Sequence, residues 1–115
     1  MHNLSIIIPT CRANKIVQET LDSIKRESSL ENTEVIFVEN GPKNESFCNI
    51  VENIGFRYFH EPTEGLLAGR HLGTLKSQGD ILVFLDDDVV LSDGWIRGVK
   101  EAFSDESVHL ATGPN

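Results

Sequence analysis

The sequence predicts an α/β fold, a mostly parallel sheet flanked by helices, and three observations carry that expectation. Short apolar segments alternate with stretches of helical period from one end of the chain to the other. The stretches between successive strands are long enough to hold the crossovers that parallel pairing needs. The strand segments also contain few polar positions, as expected where helices cover both faces of a sheet.

Leu4 to Ile8 reads as a fully buried strand, short and β-branched, stopped by Pro9-Thr10. A helix follows with Val17, Leu21 and Ile24 on one face and Asn14 as its N-cap. Glu34 to Val38 is the second strand, ending in the turn signal Glu39-Asn40-Gly41-Pro42. Phe47, Ile50, Val51 and Ile54 recur at helical spacing. Phe56 to His60 alternates apolar and polar residues, as a shorter, edge-like strand does. After the loop Glu61 to Gly65 comes a third helix, with Ala68, Leu72 and Leu75 inward and Gly79 expected as a left-handed residue past its end. The fourth strand is Ile81 to Leu85. Ser92-Asp93 caps a last helix bearing Trp95, Ile96, Val99 and Phe103, and Val108 to Ala111 reads as a fifth strand.

The chain has 115 residues, enough for one domain with a sizeable core. Its formal net charge is −8, from 18 acidic and 10 basic residues, which argues against a nucleic-acid partner. Cys11 and Cys48 form no CxxC motif and no disulfide framework, so a reduced, cytoplasmic setting is expected. No signal peptide or bilayer-spanning segment is expected either.

In open parallel sheets ligands bind beyond the carboxyl ends of the strands, where strand order reverses. Those ends carry Pro9-Thr10-Cys11-Arg12, Glu39-Asn40-Gly41, His60-Glu61 and Asp86-Asp87-Asp88. The last is the most informative. Three adjacent carboxylates repel one another at the end of an apolar strand, so a cation is expected there. Carboxylates are hard ligands suited to magnesium or manganese, which take one or two of them and fill the rest with water and phosphate oxygens. If the strand continues that far, alternation points Asp86 and Asp88 one way and Asp87 the other. Arg70 lies a turn into the third helix, where it can serve an anion or simply be solvated. Gly65, Gly69 and Gly73 read as close packing of helix on sheet. There is no P-loop and no GxGxxG after the first strand. His60, His71 and His109 lack metal-ligand spacing and read as structural or exposed. Cys11 reads as a pocket-lining residue and not a nucleophile.

Taken together, the segments resemble the nucleotide-binding half of the glycosyltransferase family 2 domain, of the GT-A fold. The matching parts are Leu4 to Thr10, Leu21 to Ile24, Glu34 to Gly41, Glu61-Pro62, Gly65-Leu66, Ala68 to Gly73 and Gly79 to Val89. The resemblance implies that Asp86-Asp87-Asp88 is the DxD motif. Asp88 would be the direct ligand of Mn2+ or Mg2+ at the diphosphate, with Asp86 and Asp87 assisting through metal water, ribose or donor sugar. Glu39 and Asn40 occupy the place of the acidic pair that meets the base. Pro9, Thr10 and Cys11 belong to the first loop of the nucleotide site, and Arg70 matches the arginine near base and phosphates. This chain departs from the family's pattern in Glu39 for aspartate, His71 for asparagine, and Cys11-Arg12-Ala13-Asn14 for the usual first loop.

The resemblance further implies inverting transfer of a sugar from a nucleoside-diphosphate sugar to a saccharide or lipid-linked acceptor, at the inner face of a membrane reached through other parts of the protein. The family's acceptor pocket and catalytic base lie in a second half, beyond Thr112 to Asn115, so this chain is expected to carry donor binding and no catalytic base. Other readings stay open: a non-catalytic nucleotide-binding fragment, a fragment that folds poorly and exposes apolar surface meant for its other half, and two further domain types. A sugar-phosphate nucleotidyltransferase needs a glycine-rich basic loop where Pro9-Thr10-Cys11-Arg12 stands. A receiver-like signalling domain needs acids after its first strand and a phosphoacceptor aspartate after its third, where Pro9-Thr10 and His60-Glu61 stand.

Overall fold

The strand Leu4–Thr10 (β1) is buried at every residue, which only a central position in a sheet covered on both sides can provide. The computed structural model describes residues 3–11, 15–27 and 32–104. Within them, β1, β2 (Thr33–Asn40), β3 (Arg57–Glu61) and β4 (Ile81–Phe84) alternate with α1 (Lys15–Arg26), α2 (Glu45–Ile54), α3 (Leu66–Lys76) and α4 (Trp95–Ala102). Every pairing is parallel, and the order across the sheet is β3-β2-β1-β4.

The alternation of β1 and β2 divides the core into two layers. Leu4, Ile6, Ile8, Val35 and Phe37 face α1, α2 and α4, meeting Val17, Leu21, Ile24, Phe47, Val51 and Ile96. Ile7, Ile36 and Val38 face α3 and meet Leu72. The chain lays β2 and β3 outward on one side of β1, then crosses back to place β4 on the other. Strand order therefore reverses between β1 and β4, and the crevice above their carboxyl ends is the expected ligand site. This order also overturns the receiver-like reading, because that fold sets its third strand beside the first. Here β2 separates them.

Several elements differ from expectation for physical reasons. β2 continues through Glu39 and Asn40, which pair with His60 and Glu61 instead of opening a turn. β4 ends at Phe84, although the Leu85 N–H still donates to the Ile7 carbonyl at 3.0 Å. β3 is the edge strand foreseen from its alternation, and half-buried throughout. Leu75, expected inward, is 66% exposed, and Ile50 also faces outward. The reason for Leu75 lies in how α3 meets the sheet. A methyl on Gly73 would fall 2.4 Å from Ile7 Cγ2, and one on Gly69 would fall 2.4 Å from Asn40 Oδ1. The glycine face is the contact face, as the spacing suggested for these two, and Leu75 lies off it. Gly65 belongs to a different class, being the N-cap of α3 at φ 118°.

Gly79 is not left-handed. It is glycine because a side chain there would meet Ser5 Oγ at 2.6 Å and the Asn3 carbonyl at 2.8 Å. The cap of α4 is also different. Gly94 takes the N-cap position, and the Glu27 carboxylate just past α1 accepts the N–H groups of Gly94 and Ile96 at 3.3 and 3.0 Å. That contact links residues far apart in sequence, and no local signal reports it. The expected cap Asn14, the fifth strand Val108–Ala111, Arg12 and His109 lie outside the described residues.

Candidate functional site

Parallel register sets Thr10 opposite Glu39 at the carboxyl rim of β1 and β2. Beside them, across the reversal point, stand the acids that follow β4. The Thr10 hydroxyl donates to Asp87 Oδ2 at 2.8 Å, and the Thr20 hydroxyl of α1 donates to the Asp87 carbonyl at 2.9 Å. Asp87 is thereby pinned from two elements and only 7% exposed. Asp86 and Asp88 on either side of it are exposed, although β4 ends at Phe84 and strand alternation does not reach the triplet. Arg70 Nη2 lies 4.0 Å from Asp86 Oδ1, both groups open to solvent. The segment beyond the acids is fastened by Ser23, whose hydroxyl accepts the Leu91 N–H at 2.9 Å and donates to the Thr20 carbonyl at 2.8 Å.

Glu39 and Asn40 are adjacent in sequence, and alternation sends them to opposite faces of the sheet. Glu39 faces α2. Its Oε1 accepts the Asn44 N–H at 2.8 Å and the Tyr58 hydroxyl, and the residue is 3% exposed. Asn40 faces α3. Its Nδ2 donates to the carbonyls of Thr63 and Gly65, at 3.2 and 2.9 Å, and so ties the loop before α3 to the sheet. Pro9 lies on that same side, with its Cβ 3.0 Å from where a Gly69 methyl would stand. The rim thus divides into a Glu39 side, where a cleft opens, and an Asn40 side, where the loop is fixed.

The cleft measures about 500 Å³ and is lined by Cys11, Glu39, Pro42, Lys43, Asn44, Glu45 and Ser46. Its size suits a small ligand group. Cys11 is exposed on its wall as a free thiol. Lys43 pairs with Glu45 at 3.3 Å, and that contact raises its pKa. Tyr58 is tied to the cleft through Glu39, to which its hydroxyl donates. Burial first, and its bond to Glu39 second, push the phenol's pKa well above its ordinary value.

Among the described residues, no group of three or more His, Cys, Asp or Glu gathers as a ready-made metal cage. The acid turn offers the exposed hard oxygens of Asp86 and Asp88, and His60 is turned away to the Gly41 carbonyl at 2.6 Å. This donor set suits an ion that takes one or two carboxylates and completes its shell with water and phosphate oxygens. It does not suit zinc, which asks for four converging ligands rich in sulfur and imidazole.

Sequence reasoning missed Tyr58, Asn44, Thr20 and Lys43. The alternation of β3 already set Tyr58 on the same face as Phe56. Asn44 carried the N-cap signal of α2, and its Oδ1 accepts the Phe47 N–H at 3.1 Å. Thr20 had no legible signal, because its partner lies across the fold.

The chain belongs to glycosyl transferase family 2, which it matches over residues 5–114. An uncharacterized glycosyltransferase of Haemophilus influenzae is 33% identical over 97 residues, covering 78% of this chain and 38% of that protein. The structure of S. aureus TarS 1-349 in complex with UDP-GlcNAc superposes with a TM-score of 0.76 at 17% identity, over 91% of this chain and 32% of that one. The mannosyltransferase PcManGT of Pyrobaculum calidifontis, in complex with GDP-Man and Mn2+, superposes with a TM-score of 0.80 at 16% identity, over 93% and 34%. Likeness at this identity shows the fold, which is that of GT-A glycosyltransferases. The chain spans between 13% and 38% of the length of the curated relatives it matches. Among the described residues, no helix is long and apolar enough to cross a membrane.

Proposed function

We propose that this chain binds the nucleoside-diphosphate sugar of a metal-dependent, inverting glycosyltransferase. The whole enzyme passes the sugar to a hydroxyl of a saccharide or lipid-linked acceptor in glycan or polysaccharide synthesis, in the cytoplasm at the inner membrane face. The observation that carries the proposal is the gathering of Thr10, Glu39 and Asp86 to Asp88 at the reversal of strand order, beside the cleft of about 500 Å³.

The base enters the cleft between Cys11 and the start of α2, over Glu39. The diphosphate falls toward Asp86, Asp88 and Arg70. Asp88 is the direct metal ligand and Asp86 the second carboxylate. Asp87, held by Thr10 and Thr20, fixes the turn that presents them. When bound, Mn2+ or Mg2+ neutralises charge on the departing diphosphate, a contribution of several kcal/mol. The Arg70 guanidinium adds a fixed positive charge on the same side. Asn40 holds the loop that leads into α3, and so sets where Arg70 stands. The base that deprotonates the acceptor is assigned to no residue of this chain, and the chain by itself is assigned binding without transfer.

Support for donor binding comes from the ligands of two proteins that share the fold, UDP-GlcNAc in one and GDP-Man with Mn2+ in the other. Calorimetry with UDP in Mn2+, and again after chelation, tests the proposal. Binding is expected only with the metal and weakens by at least about tenfold in Asp88→Ala, since even indirect partners of a metal cost 10–100-fold. Identical heats from Asp88→Ala, or no heat with UDP, GDP and dTDP alike, would sink it.

A further inference from the structure

We infer that Glu39 reads the donor's base with one oxygen only, a restriction imposed by Tyr58 and Asn44, so that the site selects a base presenting a single N–H, uracil or thymine, over guanine. This rests on the nucleotide-binding reading above, which leaves the base open.

Glu39 Oε1 already accepts two hydrogen bonds, from the Asn44 backbone N–H at 2.8 Å and from the Tyr58 hydroxyl. A carboxylate oxygen has about two lone-pair directions in its plane, so Oε1 is filled. Both donors are themselves held in place. Asn44 is the N-cap of α2, committed by its side chain to the Phe47 N–H. The Tyr58 ring stands edge-on to Phe47 at 6.3 Å, with the Lys43 ammonium 5.9 Å from its centroid. With its pKa raised by burial and by Glu39, the phenol keeps its proton at neutral pH and remains a donor.

The other oxygen, Oε2, accepts no hydrogen bond among the described residues. It is not sealed inside the protein, because the buried side-chain atom without a partner there is Asn40 Oδ1, on the other face. Glu39 lines the cleft, so one acceptor atom faces whatever enters it.

The bases differ in what they present to such a group. Uracil and thymine offer one N–H, flanked by two carbonyls. Guanine offers an N–H and an amine side by side, which match both oxygens of an open carboxylate. Against Glu39 the second of these donors finds an acceptor already filled. Adenine and cytosine set a ring-nitrogen acceptor beside their amine, and a carboxylate repels it. An unmade bond at a buried contact is the most costly kind.

Calorimetry of the full chain in Mn2+ with UDP, dTDP, GDP and ADP tests this. Wild-type protein is expected to bind UDP and dTDP roughly tenfold or more tightly than GDP. Tyr58→Phe removes one donor from Oε1 and frees it for guanine's second N–H. The UDP-to-GDP affinity ratio should then fall severalfold, chiefly through tighter GDP binding. A Tyr58 that serves packing alone would weaken both nucleotides together and leave the ratio where it was, which overturns the inference. So does equal affinity for UDP and GDP in the wild-type protein, a comparison needing no variant. In either case nucleotide binding itself survives, whereas silence with all four nucleotides removes the donor-binding reading and this one with it.

Discussion

β2 carries a glutamate at each end, and the two have been given opposite tasks. Glu34 lies on the α3 face at the amino-terminal rim of the sheet. It accepts the Ser5 hydroxyl at 2.6 Å, the Gln78 N–H, and the Arg57 guanidinium at 2.7 Å. Arg57 Nη1 also reaches the Lys76 carbonyl at the end of α3, at 2.8 Å, where a cation suits the helix dipole. Both oxygens of Glu34 are thus engaged, and its charge is matched by a cation. Burial would push the Glu34 pKa up, but the bonds from Ser5, Gln78 and Arg57 outweigh it and the net shift is downward. Glu39, on the other face at the carboxyl rim, has hydrogen bonds at one oxygen and, among the described residues, no cation in contact. A closed carboxylate staples structure, and a half-open one beside a cleft awaits a ligand. Cavity size agrees, at about 250 Å³ near Glu34 against about 500 Å³ near Glu39.

The largest expected effect comes from breaking the closed rim. A Cβ at Gly79 would stand 2.6 Å from Ser5 Oγ, 2.8 Å from the Asn3 carbonyl and 2.9 Å from the Ser5 nitrogen. Two of these are backbone atoms, one in β1 and one held by the Asp80 and Ile81 N–H groups, and cannot turn aside. Gly79→Ala should therefore cost about 2–3 kcal/mol, at the upper end of overpacking, in urea denaturation. The UDP affinity of the molecules that remain folded should not change. A drop in that affinity equal to Asp88→Ala would mean the two rims are one coupled unit.

Next in size is Glu34→Gln, which keeps the shape and removes the charge. The amide presents its NH2 to donors on one side or the other, so about 1–2 kcal/mol is expected at pH 7, moderated because the group is part-exposed. The sign of the pH dependence follows from the lowered folded-state pKa. Stability from Glu34 is fully present above its ordinary value of 4.5 and is lost as pH falls through the folded value below that. The gap between wild-type and Glu34→Gln stabilities should close as pH drops under 4.5. A gap that stays constant down to acid unfolding would mean that charge has no part in the staple.

The sequence made the layout of this comparison readable, though not its detail. Apolar runs and turn signals located four strands, and chain order with the reversal rule brought Thr10, Glu39 and the aspartates to one rim. That worked because strand patterning is local. The split between Glu39 and Asn40 needed the true end of β2, two residues past the expected one, since only a strand sends neighbours to opposite faces. The Tyr58 contact needed the register of β2 on β3, which an edge strand alternating over five residues specifies weakly. Leu75 misled because periodicity cannot tell an apolar face from a glycine face that packs more closely. The Glu27 cap of α4 and the Thr20 bond to Asp87 join residues 67 to 69 apart, and nothing near either residue announces them.

The smallest effect is the most discriminating, and it sets one hydroxyl at each rim against the other. Thr20→Val removes the donor to the Asp87 carbonyl with little change of shape, and should cost about 0.5–1.5 kcal/mol of stability. Ser5→Ala removes the hydroxyl that joins Glu34 to the Gly79 N–H, at 2.6 and 2.9 Å, and belongs to the same range. Stability alone therefore cannot separate them, and ligand binding should. Thr20 steadies the turn that presents Asp86 and Asp88, so metal-dependent UDP binding should weaken by about two- to fivefold in Thr20→Val, for a loss of roughly 0.5–1 kcal/mol. Ser5→Ala should leave it unchanged, because its partners fix the far end of the sheet and touch nothing that meets a ligand. Equal weakening by both would show that the acid turn feels the sheet as a whole and not its own hydrogen bonds.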